Sequence, residues 1–168
     1  AGSHFYNYST KIFIPTLFQV LTYCQNNRIG INIELKPNLG FEKDNIKSIA
    51  KVFKNFNLSN NYYFSSFDFK SIIMMKKTLP YTNCGLLINN FDENISLDNV
   101  IEISNKYKFI SCGLNKDIIN LDIIKKLKKN LILTVYSGEN LKSDEANQLW
   151  SMGIQSIFTD DPTDLKII

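Results

Sequence analysis

The stretch Gly30-Ile31-Asn32-Ile33-Glu34-Leu35-Lys36-Pro37 alternates apolar and polar residues without a break. That period of two is a strand signal: Ile31, Ile33 and Leu35 share one face, and Asn32, Glu34 and Lys36 share the other. The segments on either side carry a helical period, which makes this strand part of a parallel sheet with a helix-covered outer face. The polar face then points inward. A carboxylate and an ammonium two residues apart, at the carboxyl end of a strand in a closed barrel, stand where barrel enzymes keep their chemistry. A structural ion pair between Glu34 and Lys36 is the other reading of the same spacing.

Outward from this strand the chain alternates helix and strand. Before it, Thr16-Leu17-Phe18-Gln19 fits a capping box, and Leu17, Val20, Leu21 and Cys24 form a helical stripe. After it, Pro37 and Gly40 mark a loop, and Ile46, Ile49, Ala50 and Phe53 form the next stripe. Further strands are expected at Tyr62–Phe67, Cys84–Ile88, Phe109–Leu114, Leu131–Tyr136 and Ile154–Thr159. Gly85 inside the third of these six strands points to a close backbone approach. Between them, Phe69, Ile72, Ile73 and Met75 read as a short helix ending before Pro80, with the Met pair as core filling. Ser96, Asn120 and Ser143 are expected helix caps, and Gly153 ends the last helix. Such alternation implies right-handed βαβ units and one α/β domain over residues 1–168. No linker or low-complexity tract interrupts it.

The chain has 168 residues, 44% hydrophobic and 21% charged, with a net charge of +3. That length holds a real core but falls short of most complete eight-stranded barrels, which need about 200 or more residues. Lys125, Lys126, Lys128 and Lys129 read as the solvated face of one helix, and no aromatic-interleaved basic patch argues for nucleic acid. Cys24, Cys84 and Cys112 lack metal-ligand spacing and read as buried reduced thiols, which favours a reducing compartment. No run is long and apolar enough for stable membrane insertion, and no signal peptide is read in a chain that starts at Ala1 without a methionine.

Glu34 is the best metal-ligand candidate, because hard cations take carboxylate oxygens, but they usually take two or more. Asp160 and Asp161 also follow a strand, yet Asp before Pro162 reads as a turn or helix cap. Lys36 suits a phosphate as a point charge. His4 is the single histidine and sits in the first residues, so it carries no expected general acid or base role. Neither a P-loop nor a Gly-x-Gly-x-x-Gly run occurs.

Taken in order, the segments resemble the glycerophosphodiester phosphodiesterase family, in particular its compact bacterial cytoplasmic type. Ala1-Gly2-Ser3 with Ile14-Pro15-Thr16-Leu17 is similar to that family's "AGS…IPTLEEVL", and Asn32 to Pro37 is similar to its "NIEIKP" strand. Ser65-Ser66-Phe67 resembles "SSF", and Gly85-Leu86-Leu87 resembles "GLL". Val135-Tyr136-Ser137 lies where the family has "YTVN", and Gly153 to Asp160 is similar to "GVDGIITD". The family's "HRG", "E-x-D" and "HD" strands do not occur in this sequence. They would supply both catalytic histidines, a phosphate-binding arginine and two of three metal carboxylates.

The resemblance therefore implies the carboxyl-terminal two-thirds of an incomplete TIM-type barrel. It implies Glu34 as a ligand to a divalent cation, Mg²⁺ or Ca²⁺, and Lys36 as a phosphate contact, with Phe67 and Tyr136 lining the pocket for a small glycerophosphodiester. The implied reaction is metal-dependent hydrolysis to an alcohol and glycerol 3-phosphate. It also implies that this chain alone is inactive; the alternative is a non-catalytic remnant or fragment. With three family strands absent and six expected here, one strand exceeds the eight of a barrel, and Phe109–Leu114 is expected to be the one too irregular to count.

Overall fold

The computed structural model describes residues 13–56 and 62–165. His4 lies outside the described residues. The elements run α1 (Leu17–Asn26), β1 (Ile31–Glu34), α2 (Glu42–Phe53), β2 (Tyr62–Ser66), α3 (Phe69–Thr78), β3 (Asn83–Ile88), α4 (Leu97–Tyr107), β4 (Ser111–Asn115), α5 (Leu121–Leu127), β5 (Ile132–Tyr136), α6 (Ser143–Met152) and β6 (Ser156–Ile157). The six strands lie side by side in chain order, every pair parallel. Each helix therefore runs back along the sheet, with its N-terminus at the carboxyl ends of the strands.

Local chemistry sets most of the helix starts. Thr16 makes the expected capping box with Gln19, and Ser96 and Asn120 accept hydrogen bonds from the backbone amides of Asn99 and Ile123. Asp68 caps α3 by accepting from both Lys70 N and Ser71 N. Gly153 ends α6 at φ 98°, where a Cβ would be strained. Ser143 is not the cap of α6. It is the first helical residue, and Lys142 holds the N-cap position while Glu145 Oε2 accepts from its backbone amide at 3.1 Å.

Alternation along the strands sorts side chains onto two faces. Phe64, Cys84, Leu86, Cys112, Leu114, Leu133 and Val135 are fully buried beneath the helices, against Leu21, Ile72, Met75 and Val100. Ile31 and Ile33 pack on the same core only partly, because β1 is an outermost strand, while Leu35 is 2% exposed. The opposite face carries Asn32, Tyr63, Asn83, Ser111, Thr134 and Ser156 around a 340 Å³ concavity.

The sheet is curled, and its side chains show it. Phe67 follows β2 and Tyr136 ends β5, three strands away, a separation of about 14 Å in a flat sheet. Their ring centroids are 5.4 Å apart at 88°. The result is an incomplete α/β barrel: among the described residues, β1 and β6 each have one neighbour. β4 corrects the expectation for Phe109–Leu114. It is a regular five-residue strand paired on both sides, and the short strand is β6, with two residues. Small residues that weaken its strand signal are what its neighbours require, since a Cβ on Gly113 would meet Leu87 Cδ2 at 2.5 Å.

Candidate active site

Glu34 ends β1, and Phe67, Asn89 and Asn115 stand at the carboxyl ends of β2, β3 and β4, with Tyr136 closing β5. The alternation that turns Ile33 and Leu35 towards the helix-covered core turns Glu34 to the concave side. Its Oε1 lies 3.3 Å from Lys36 Nζ, and that oxygen is shielded from solvent with no hydrogen-bond partner. The two observations describe one contact: the ammonium is close enough for ionic attraction but does not make a hydrogen bond to that oxygen. Lys36 itself lies beyond the strand end with 73% of its side chain exposed, so its reach to Glu34 is from the rim. Such an exposed pair contributes little stability.

Tyr136 ties the site to the sheet. Its hydroxyl donates to the Ile88 carbonyl at 3.0 Å, with Asn89 Oδ1 at 3.4 Å, and Asn115 Nδ2 donates to the same Oδ1 at 3.0 Å. Burial, then the Cys112 thiol and the Glu34 carboxylate, pushes the Tyr136 phenol up to about 12. It stays a neutral donor across the physiological range. The structure pairs Glu34 with Lys36 and Phe67 with Tyr136 at the same end of the sheet, with the Glu34 carboxylate near enough to Tyr136 to help raise its phenol. Sequence reasoning missed Asn89 and Asn115. Their signal was an Asn directly after a strand, hidden by the abundance of Asn throughout the chain.

Asp160 and Asp161 are placed as expected. Asp161 accepts from the amide and hydroxyl of Thr163, which holds its carboxyl below the usual range, and it caps the 3₁₀ turn Pro162–Asp164. Asp160 N donates to Asn140 Oδ1 at 3.0 Å.

The shielded Glu34 oxygen suits a cation, but one carboxylate does not make a site. Among the described residues no three His, Cys, Asp or Glu side chains gather where a metal ion would sit. The described residues therefore do not form a metal centre by themselves. No helix among them is long and apolar enough to cross a membrane.

The sequence matches the model of the glycerophosphoryl diester phosphodiesterase family over residues 1–164. The chain belongs to that family. Its fold agrees with solved structures of the same kind. A candidate glycerophosphodiester phosphodiesterase from Galdieria sulphuraria superposes with a TM-score of 0.77 at 13% identity, over 89% of this chain and 61% of that one. A phosphodiesterase from Oleispira antarctica, solved with its product sn-glycerol-3-phosphate, gives 0.74 at 20% identity, over 87% of this chain and 57% of that one. A glycerophosphodiester phosphodiesterase from Parabacteroides distasonis gives 0.69 at 15% identity, over 89% and 61%. This phosphodiesterase-family chain spans less than two thirds of the length of these neighbours. Among curated proteins, none matches it.

Proposed function

We propose that residues 1–168 are the carboxyl-terminal two-thirds of a glycerophosphodiester phosphodiesterase barrel. The complete barrel would hydrolyse glycerophosphodiesters to an alcohol and glycerol 3-phosphate, in phospholipid degradation and glycerol metabolism. One observation carries the reading: Glu34, Lys36, Phe67 and Tyr136 converge at the carboxyl ends of the strands, in a chain of this family. In this reading the Lys36 ammonium leaves Glu34 to meet a phosphoryl oxygen, and the Phe67–Tyr136 pair walls the small-molecule substrate. Glu34 contributes one ligand to a divalent cation, Mg²⁺ or Ca²⁺, which supplies Lewis acidity when bound. General acid and base groups have to come from beyond the described residues, and so do the other metal carboxylates. The cytoplasm is the proposed setting, where the three buried, unpaired thiols stay reduced.

Glycerol 3-phosphate titrated into the protein by calorimetry, with Mg²⁺ or Ca²⁺ present, tests the site. Weak binding is expected, reduced at least about tenfold by Glu34→Gln or Lys36→Met, the loss of one charged hydrogen-bonding partner. Glycerophosphocholine should stay uncleaved. Release of glycerol 3-phosphate above the buffer rate, abolished by Glu34→Gln, would overturn the proposed inactivity of this chain. Absence of binding, or binding indifferent to both substitutions, would favour the non-catalytic remnant.

A further inference from the structure

The charges of this chain are sorted to opposite ends of the sheet. Because every helix runs back along parallel strands, each helix C-terminus and each helix-to-strand connection lies at the amino ends of the strands. The last helical turns there carry Lys51, Lys76, Lys77, Lys106, Lys125 and Lys126. The connections that follow add Arg28, Lys54, Lys108, Lys128 and Lys129. None of the 16 Asp and Glu residues falls in these segments. All are exposed except Lys76, which is half-buried and donates to the Thr82 carbonyl. None has an ion-pair partner among the described residues, whereas the four ion pairs of Lys36, Lys47, Lys70 and Lys116 all lie off this face. The modest net charge of +3 conceals this separation.

Helix dipoles favour cations in a last turn and at the cap that closes it, which accounts for the sign at the six last-turn positions and at the caps Lys54, Lys108 and Lys128. They do not account for Arg28 and Lys129, which lie beyond the caps Asn27 and Lys128. A field of one sign without counter-charges also repels itself and costs stability. We propose that this face docks on an anionic phospholipid surface. A broad platform of flexible lysines, with Arg28 the one guanidinium, suits diffuse attraction to many head groups better than bidentate recognition of one phosphate. Tyr81, 96% exposed, and Ile29, 45% exposed, stand in the same connections, where an amphipathic ring and an aliphatic chain can enter the head-group layer. The exposed Leu39 and Phe41 lie at the other end, where Lys36 and Lys70 are each paired with a carboxylate. Docking by the basic face leaves the concave site's mouth turned to water, the side from which soluble, deacylated diesters arrive.

The test is co-sedimentation of the full chain with vesicles of phosphatidylcholine, with and without phosphatidylglycerol. Binding only to the anionic vesicles is expected, weakening as salt rises to ~0.15 M. The combined variant Lys125→Gln, Lys126→Gln, Lys128→Gln and Lys129→Gln should lower the partition coefficient on the order of a hundredfold or more. The combination Lys43→Gln, Lys47→Gln, Lys70→Gln and Lys142→Gln removes the same charge away from this face and should lower it by less than about tenfold. Equal losses in the two variants would overturn the assignment to this face. Equal binding to neutral vesicles, or tighter binding to a single-stranded oligonucleotide than to the anionic vesicles, would overturn the lipid surface as partner.

Discussion

Substituting Gly85 by Ala tests how the concave face is packed. Gly85 sits in register between Ser65 and Ser111, and the Tyr63 hydroxyl reaches over it to bond the Ser111 hydroxyl. A Cβ there would overlap both hydroxyl oxygens and come within 2.7 Å of the Ser111 carbonyl. Gly→Ala without a clash would stabilise by about 0.4–1 kcal/mol, through reduced freedom of the unfolded chain. Here the inserted methyl costs ~1–3 kcal/mol of overpacking and displaces a hydrogen bond worth ~0.5–1.5 kcal/mol. The clash wins, and a net loss of about 1–3 kcal/mol is expected. With a urea m-value of about 2 kcal/mol/M, the midpoint should fall by roughly 0.5–1.5 M. Tyr63→Phe alone should cost about 1 kcal/mol. The double variant removes one of the overlapping oxygens, so it should be less destabilised than the sum by at least about 0.5 kcal/mol. The Ser111 carbonyl remains in the way, so relief is partial. Urea melts of all four proteins, followed by circular dichroism, measure the cycle. A Gly85→Ala protein as stable as the original, or strict additivity, would refute the packing argument.

Stability should fall in alkali. Burial pushes Tyr63 and Cys112 up to about 12, against ordinary values of 10.0 and 9.0, so the unfolded chain loses these protons first. Stability is then lost as pH rises towards 12, through Cys112 from about pH 9 and through Tyr63 from about pH 10, at ~1.4 kcal/mol per unit for each group, and Cys112→Ala should flatten urea midpoints measured from about pH 8 to about pH 11. Ser96→Ala should cost about 1 kcal/mol in the same melt, because Asn99 N loses its acceptor. The unpaired edges of β1 and β6 should make the protein associate with rising concentration in size-exclusion chromatography, with β6 the first strand to lose protection from hydrogen exchange. A concentration-independent monomer with a cooperative, reversible melt would mean that those edges are covered.

Much of this architecture is legible in the residues alone, because helices and strands answer to local rules. The alternation through Ile31 to Lys36, the Thr16 box and the glycine at 153 depend on neighbours a few positions away. They place the elements of a parallel α/β fold and the facing of Glu34. The strength of β4 is not local: Ser111 and Gly113 look like poor strand residues until Tyr63 and Leu87 are seen to need the room. The candidate site divides the same way. Glu34 and Lys36 are two residues apart and readable as a pair, whereas the Phe67–Tyr136 contact and the Asn89–Asn115 bridge exist only because the sheet curls. The segregation of eleven cations from sixteen carboxylates is present in the order of the letters but invisible to composition. It becomes a surface only when parallel strands bring every helix C-terminus to one end, since charge acts through distance in space and not along the chain.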